Sequence, residues 1–240
     1  MAESTACPKG KSGREDRNII IALRQPMHEV IFSRFKMASE FQNGFQVAVL
    51  CCLAILGLGR AIILKVQKIQ VLVLDSQMTK IQLINGVCFV ICFLTWFYES
   101  MAYGLSLKFH IPIAISDKLL LQHPGFKIGG AFVLIFGLLI YASALYSFRD
   151  SWRIGIDRAK PGKLITTGIF RWSRNPIYMS LNLLVLGTFL LQGYLIFIIL
   201  FFCIAISLHI QILQEEKYLM QTYGKAFIHY RSRVGRYFTL

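Results

Sequence analysis

The sequence predicts an all-α membrane protein with about five transmembrane helices, one long polar loop and an amphipathic C-terminal helix. Three observations carry this prediction: an apolar composition, apolar runs near bilayer length, and basic residues gathered at the ends of those runs. Of 240 residues, 55% are hydrophobic and only 16% charged. The runs fall at 45–64, 83–105, 128–146, 177–191 and 194–213, close to the ~20 residues a helix needs to cross hydrocarbon. Backbone in lipid must hydrogen-bond within its own segment, so each run reads as a helix.

Taken in order, residues 1–43 read as a polar tail and interfacial segment. The first 26 are rich in charge, lack a signal-peptide core and suit a flexible tail. Residues 44–148 hold the first three spans, and 149–240 hold the chemistry. The fourth run is short, which suits a tilted helical hairpin turning through Gln192-Gly193. That single turn puts the loop before the fourth run and the tail after the fifth on one side of the membrane.

The net charge of +14 does not point to nucleic acid, because the basic residues flank apolar spans and form no separate soluble domain. They fit the positive-inside rule. Arg149, Arg153, Arg158, Lys160, Lys163, Arg171 and Arg174 lie in the loop and Lys217, Lys225, Arg231, Arg233 and Arg236 in the tail, so both should face the cytoplasm. Five spans then place the N-terminus outside, against the pull of Lys9, Lys11, Arg14, Arg17, Arg24, Arg34 and Lys36. Either residues 45–74 form two half-length segments turning near 57–60, or the acidic residues of the N-terminus weaken its signal. Cys7, Cys51, Cys52, Cys88, Cys92 and Cys203 show no metal-site spacing and read as reduced packing residues, so no metal is expected. No glycine-rich nucleotide loop or solenoid repeat is present.

The chemistry is expected in the segment KLITTGIFRWSRNPIYMS, residues 163–180, which runs directly into an apolar helix. Its apolar side chains give it enough surface to pack, and Gly155, Gly162 and Gly168 permit turns in the loop. Asn175 is a good N-cap and Pro176 takes the preferred first helical position. Free N–H groups there attract an anionic group; a plain cap with a positive-inside arginine, and an interfacial Tyr178, are the simpler alternatives.

At the far end of the hairpin, Glu215 and Glu216 stand together where the last span ends, and a charge at the hydrocarbon edge needs a partner or a role. A solvated helix end answered by Lys217 is the simpler alternative. Beyond them Leu219, Tyr223, Ala226, Phe227 and Tyr230 share a face, as in an amphipathic helix lying over the membrane surface. His209 stands alone among apolar neighbours and reads as a packing residue.

These motifs, LITTGIFRWSRNPIYMS and EEKYLMQTYGKAFIHYRSRVGRYF with SWRIGI before them, resemble the C-terminal half of the isoprenylcysteine carboxyl methyltransferase family and its bacterial, phospholipid methyltransferase-like relatives. The resemblance covers roughly residues 151–238. It implies a membrane methyltransferase using S-adenosylmethionine, held between the loop, the last helices and the C-terminal segment. The cofactor contacts it implies fall on Gly162, Lys163, Leu164, Ile165, Phe170, Asn175, Pro176, Ile177, Tyr178 and Glu215, with Gln211, Glu215 and Glu216 as the catalytic set and Gln211 and Arg174 toward the substrate.

Two positions depart from the family. Asn175 replaces a histidine before the proline, a mild change that keeps hydrogen-bonding capacity. Gln211 replaces an arginine that engages the substrate carboxylate, and a neutral amide cannot make that charge-assisted contact. Arg153, Arg174 or Arg236 would have to take it over, or the acceptor differs. The leading expectation is carboxyl O-methylation of a prenylated cysteine; methylation of a phospholipid or other lipid is the alternative, with Glu216 or His209 as the base an amine would need. A sterol-reductase-like oxidoreductase and a non-catalytic membrane protein keeping the fold are the other readings. The expected partners are membrane lipids and a lipophilic acceptor, in a bacterial inner membrane or the endoplasmic reticulum.

Overall fold

The computed structural model describes residues 12–67, 79–111, 118–148 and 164–239, with side chains from residue 39 onward. Among the described residues the regular structure is all helical apart from one isolated β-bridge. The chain divides into two compact units, 1–42 and 43–240, and the site lies in the second. Helix α1 spans Ser12–Val66, α2 Lys80–Gly104, α3 Pro124–Phe148, α4 Pro176–Gln192, α5 Leu195–Tyr223 and α6 Lys225–Arg233.

Four of these are long and apolar enough to cross a bilayer: Ser39–Val66, Lys80–Gly104, Pro124–Phe148 and Leu195–Tyr223. The fifth, α4, has 17 residues, or about 25 Å at 1.5 Å per residue, short of a hydrocarbon core of about 30 Å. The expectation of about five spans thus becomes four full-length helices and one shorter apolar helix. The first span is a continuous helix through Gly57 and Gly59, so the alternative of two half-length segments turning there is set aside. Helix also reaches back to Ser12, where a flexible tail was expected.

Local chemistry explains the ends. At α2, Gln82 N donates to Thr79 Oγ1 at 3.3 Å and Thr79 N to Gln82 Oε1 at 2.8 Å, a reciprocal capping box. The hairpin between α4 and α5 turns at Gly193, whose φ of 79° is the left-handed conformation that favours glycine. The segment after α2 and the one before α3 close the same end of the bundle. Leu120 N donates to Gly193 O at 2.8 Å, Leu195 N to Lys118 O at 2.8 Å, and Ile111 N to the fully buried Glu99 carboxylate at 2.6 Å.

Lipid is as apolar as leucine, so helices in a membrane gain by close packing rather than by hydrophobic burial. Helix α3 and α4 pack closely through Gly130 and Gly187: a Cβ on Gly130 would stand 2.6 Å from Leu191 N. Leu134, Leu184, Phe197, Ile204 and Leu208 fill the shared core. Two polar ties cross it, Gln46 Nε2 to Thr188 Oγ1 at 3.2 Å and Asn85 Nδ2 to Ser207 O at 3.1 Å. Ile81, Val87, Ile91 and Leu94 of α2, Phe132 and Phe136 of α3, and Phe202 and Ile206 of α5 remain exposed, as lipid-facing residues would.

Candidate active site

At the other end of the bundle, where α4 begins and α5 finishes, the segment 164–175 is held by the C-terminal tail. A short 3-10 turn, Gly168–Arg171, buries Phe170 edge-on against Phe148, with ring centroids 4.8 Å apart. The Phe170 carbonyl accepts from Tyr230 Oη at 2.7 Å. The tail then runs beside the segment: Arg174 N donates to Gly235 O at 3.0 Å and Thr239 N to Trp172 O at 2.8 Å. Asn175 does stand at the N-cap of α4, yet its side chain makes no capping bond. Its amide Nδ2 instead donates to Arg236 O at 3.1 Å, and Ser173 Oγ accepts from Asn175 N at 3.1 Å. The tail carbonyl has outcompeted the helix for that side chain, which corrects the simple capping role. The first N–H groups of α4 are left without side-chain capping by Asn175.

The expected single amphipathic helix is broken. Helix α5 ends at Gly224, with φ 50°, and α6 starts again at Lys225. This turn lets Phe227, Tyr230 and Val234 pack as a small buried cluster with Leu164, Leu219 and Tyr223, while Ala226 of the expected face stays exposed. Burial pushes the Tyr230 phenol up to about 12.

The two adjacent carboxylates diverge. Glu216, 5% exposed, receives Arg236 in a fork, with Nε at 3.1 Å from Oε1 and Nη2 at 2.8 Å from Oε2. Arg174 Nη2 reaches the same Oε1 at 3.0 Å. The two arginines respond oppositely. Burial pulls Arg174 down in spite of Glu216, because its side chain is 8% exposed; the hydrogen bond to Glu216 pushes Arg236, 30% exposed, up. Among the described residues, Arg174 Nε and Nη1 are buried with no hydrogen-bond partner. Two nitrogens of this cation are thus desolvated without a partner among the described residues.

Glu215 turns toward α4. Tyr178 Oη donates to its Oε1 in a very short hydrogen bond, and Gln211 Nε2, one turn back on α5, donates to the same oxygen at 3.3 Å. Among the described residues no donor reaches Oε2. His209 Nδ1 lies 2.7 Å from Tyr237 Oη, so this histidine is tied to the tail rather than packed alone.

Of the residues the sequence singled out, Phe170, Arg174, Asn175, Pro176, Ile177, Tyr178, Gln211, Glu215 and Glu216 gather at this end, and Leu164 packs against α6. Ile165 is half-exposed at the start of the described loop. Gly162, Lys163 and Arg153 lie outside the described residues. Sequence reasoning named Arg236 and a C-terminal segment near the loop but missed Ser173 and the backbone bonds of 235–239; the Gly235-Arg236-Tyr237-Phe238 run, a glycine followed by a cation and two aromatics, was the available signal.

Residues 126–226 match the phospholipid methyltransferase family. That part of the chain is similar to this family. The matched region runs from α3 into α6 and includes Tyr178, Gln211, Glu215 and Glu216; the Gly235–Thr239 strap lies beyond it. A protein-S-isoprenylcysteine O-methyltransferase of Saccharomyces cerevisiae (strain ATCC 204508 / S288c) is 28% identical over 109 residues, or 44% of this chain. The matched stretch spans 46% of that relative's length. Four helices long and apolar enough to cross a bilayer describe a multi-pass membrane protein, and its matched stretch is similar to methyltransferases.

Proposed function

We propose that the chain is an S-adenosylmethionine-dependent methyltransferase acting on a lipophilic acceptor, with its site on the cytoplasmic face. The observation that carries this reading is the convergence of Tyr178 and Gln211 on one oxygen of Glu215, across the α4–α5 hairpin. Both donors leave Oε2 free to receive an ammonium, and charge-assisted bonds of that kind are about twice as strong as neutral ones. The first N–H groups of α4 suit a carboxylate, and Phe170 and Tyr178 offer aromatic faces to a sulfonium or an adenine. The donor set therefore fits the cofactor, with Leu164, Ile165, Asn175, Pro176 and Ile177 as its further contacts and Gly162 and Lys163 as the remaining candidates.

When bound, S-adenosylmethionine would supply an electrophilic methyl group. The protein's part is to bind, align and exclude water. Glu215 is held in one orientation by its two donors, and the tail strap closes the loop over the start of α4. For the acceptor, Gln211 is already spent on Glu215, and Arg236 is committed in a fork to Glu216. The Nε and Nη1 donors of Arg174 remain, buried and cationic, and they favour an acceptor bearing a carboxylate, such as a prenylated cysteine. A carboxylate needs no general base. An amine lipid would need one, yet Glu216 is paired with two arginines and His209 with Tyr237.

The test is transfer of labelled methyl from S-adenosylmethionine to a prenylcysteine, phosphatidylethanolamine and native lipid extract, with the full chain in mild detergent. Labelled prenylcysteine ester is expected, and it should fall sharply in Arg174→Met. Label in the amine lipid alone would overturn the carboxylate assignment; no label in any acceptor would favour the non-catalytic reading.

A further inference from the structure

A second site lies on the outer side of the loop. An open cleft of about 760 Å³ separates the 164–171 segment from α6, lined by Leu164, Thr166, Thr167, Arg171, His229 and Arg233 among others. It shares Leu164 with the expected cofactor contacts and none of Tyr178, Asn175, Gln211 or Glu215. No carboxylate stands among its lining residues, so two guanidiniums face one hollow without a described counter-charge. Arg233 stands beside His229 in the wall of the cleft. Tyr230, also in the wall, has its hydroxyl committed to Phe170 O. Arg171, Arg233 and the Thr166 and Thr167 hydroxyls remain to bind a ligand.

Two arginines and two hydroxyls without an acid make a phosphate-type anion site. The planar guanidinium fork matches phosphate oxygens, and hydroxyls supply further donors. The surroundings indicate the phosphate's source. Next to Arg171, Trp172 stacks on Phe238 with centroids 6.5 Å apart, and the two rings are 58% and 53% exposed. Ile228 on α6 is 54% exposed. Stacked exposed aromatics beside arginines, at the end of membrane-spanning helices, match residues that sit in the headgroup layer. We propose that the Arg171–Arg233 cleft binds the phosphodiester headgroup of an anionic membrane lipid. The bound headgroup would bridge the 3-10 turn and α6, the two elements that Tyr230 already ties together.

The test uses the full chain in a neutral detergent, titrated with short-chain phosphatidylglycerol and followed by native mass spectrometry. Short-chain phosphatidylcholine and inorganic phosphate form the other arms. Saturable binding of phosphatidylglycerol is expected, weakened about five-fold by Arg171→Gln or Arg233→Gln and about thirty-fold by both together. Lys217→Gln, which removes an exposed cation outside the cleft, should leave binding unchanged. The thermal midpoint without lipid checks that each variant is folded, and Arg171→Lys with Arg233→Lys, keeping charge and losing the fork, should bind at an intermediate level. Equal binding by the double glutamine variant, or phosphatidylcholine bound as tightly as phosphatidylglycerol, would overturn the proposal. Inorganic phosphate bound with the same dependence on both arginines would assign the cleft to a free anion and overturn the lipid assignment.

Discussion

Replacing Glu216 by alanine should be among the most damaging single changes at this end of the molecule. It strands two guanidiniums that share one carboxylate at 2.8–3.1 Å. Removing one member of a buried pair costs about 3–5 kcal/mol, because the other charge stays behind without water. Arg174 fits that case with its side chain 8% exposed. Arg236, at 30% exposed, can turn to solvent and falls nearer the ~1 kcal/mol of a surface pair. A loss of about 3 kcal/mol is therefore expected, or roughly 6–12 °C in melting midpoint for a chain this size. Heating the full chain in mild detergent, followed by size exclusion, reads that midpoint. Adding Arg174→Met to Glu216→Ala should recover part of the loss by removing the stranded charge. A midpoint within about 2 °C of the wild type for Glu216→Ala, or a further fall in the double variant, would refute the reasoning.

Gly130→Ala should destabilise by about 1–3 kcal/mol, since its Cβ meets the Leu191 amide at 2.6 Å and backbone cannot give way. The neighbouring Gly129→Ala, with nothing within 4 Å, should be neutral or gain up to ~1 kcal/mol from helix propensity; the same melting assay separates them. Tyr178→Phe removes a hydrogen bond to a carboxylate worth about 1.5–3 kcal/mol, so calorimetric affinity for S-adenosylmethionine should fall tenfold or more. Tyr230 favours its neutral form, so its contribution to stability is present below its ordinary value near 10 and lost as pH rises toward about 12. Absorbance titration of phenolate should accordingly lose a component near 12 in Tyr230→Phe.

Much of the fold was legible because bilayer length and backbone satisfaction leave few choices for apolar runs. The hairpin turn at Gln192-Gly193 was readable too, since the left-handed Gly193 is the residue such a turn requires. Tyr178 and Glu215 stood out as chemistry at the two ends of that hairpin, although their direct bond depends on a packing register the sequence does not print. What escaped was mostly backbone. Arg174 N to Gly235 O and Thr239 N to Trp172 O are backbone bonds, so the Gly235-Arg236-Tyr237-Phe238 run did not by itself say where the strap would lie. The strap in turn took Asn175 away from its cap. The break at Gly224 hid inside a continuous apolar periodicity, and the Gly130–Gly187 approach joins residues from separate helices.

The central claim is that Glu215, oriented by Tyr178 and Gln211, holds S-adenosylmethionine at the head of α4. Calorimetric titration of that compound into the full chain in mild detergent, wild type against Glu215→Gln, tests it most directly. The account predicts saturable one-to-one binding, weakened roughly ten- to hundred-fold by the substitution with the melting midpoint retained. Equal affinity in the two proteins, or no saturable binding by folded wild type, would contradict it.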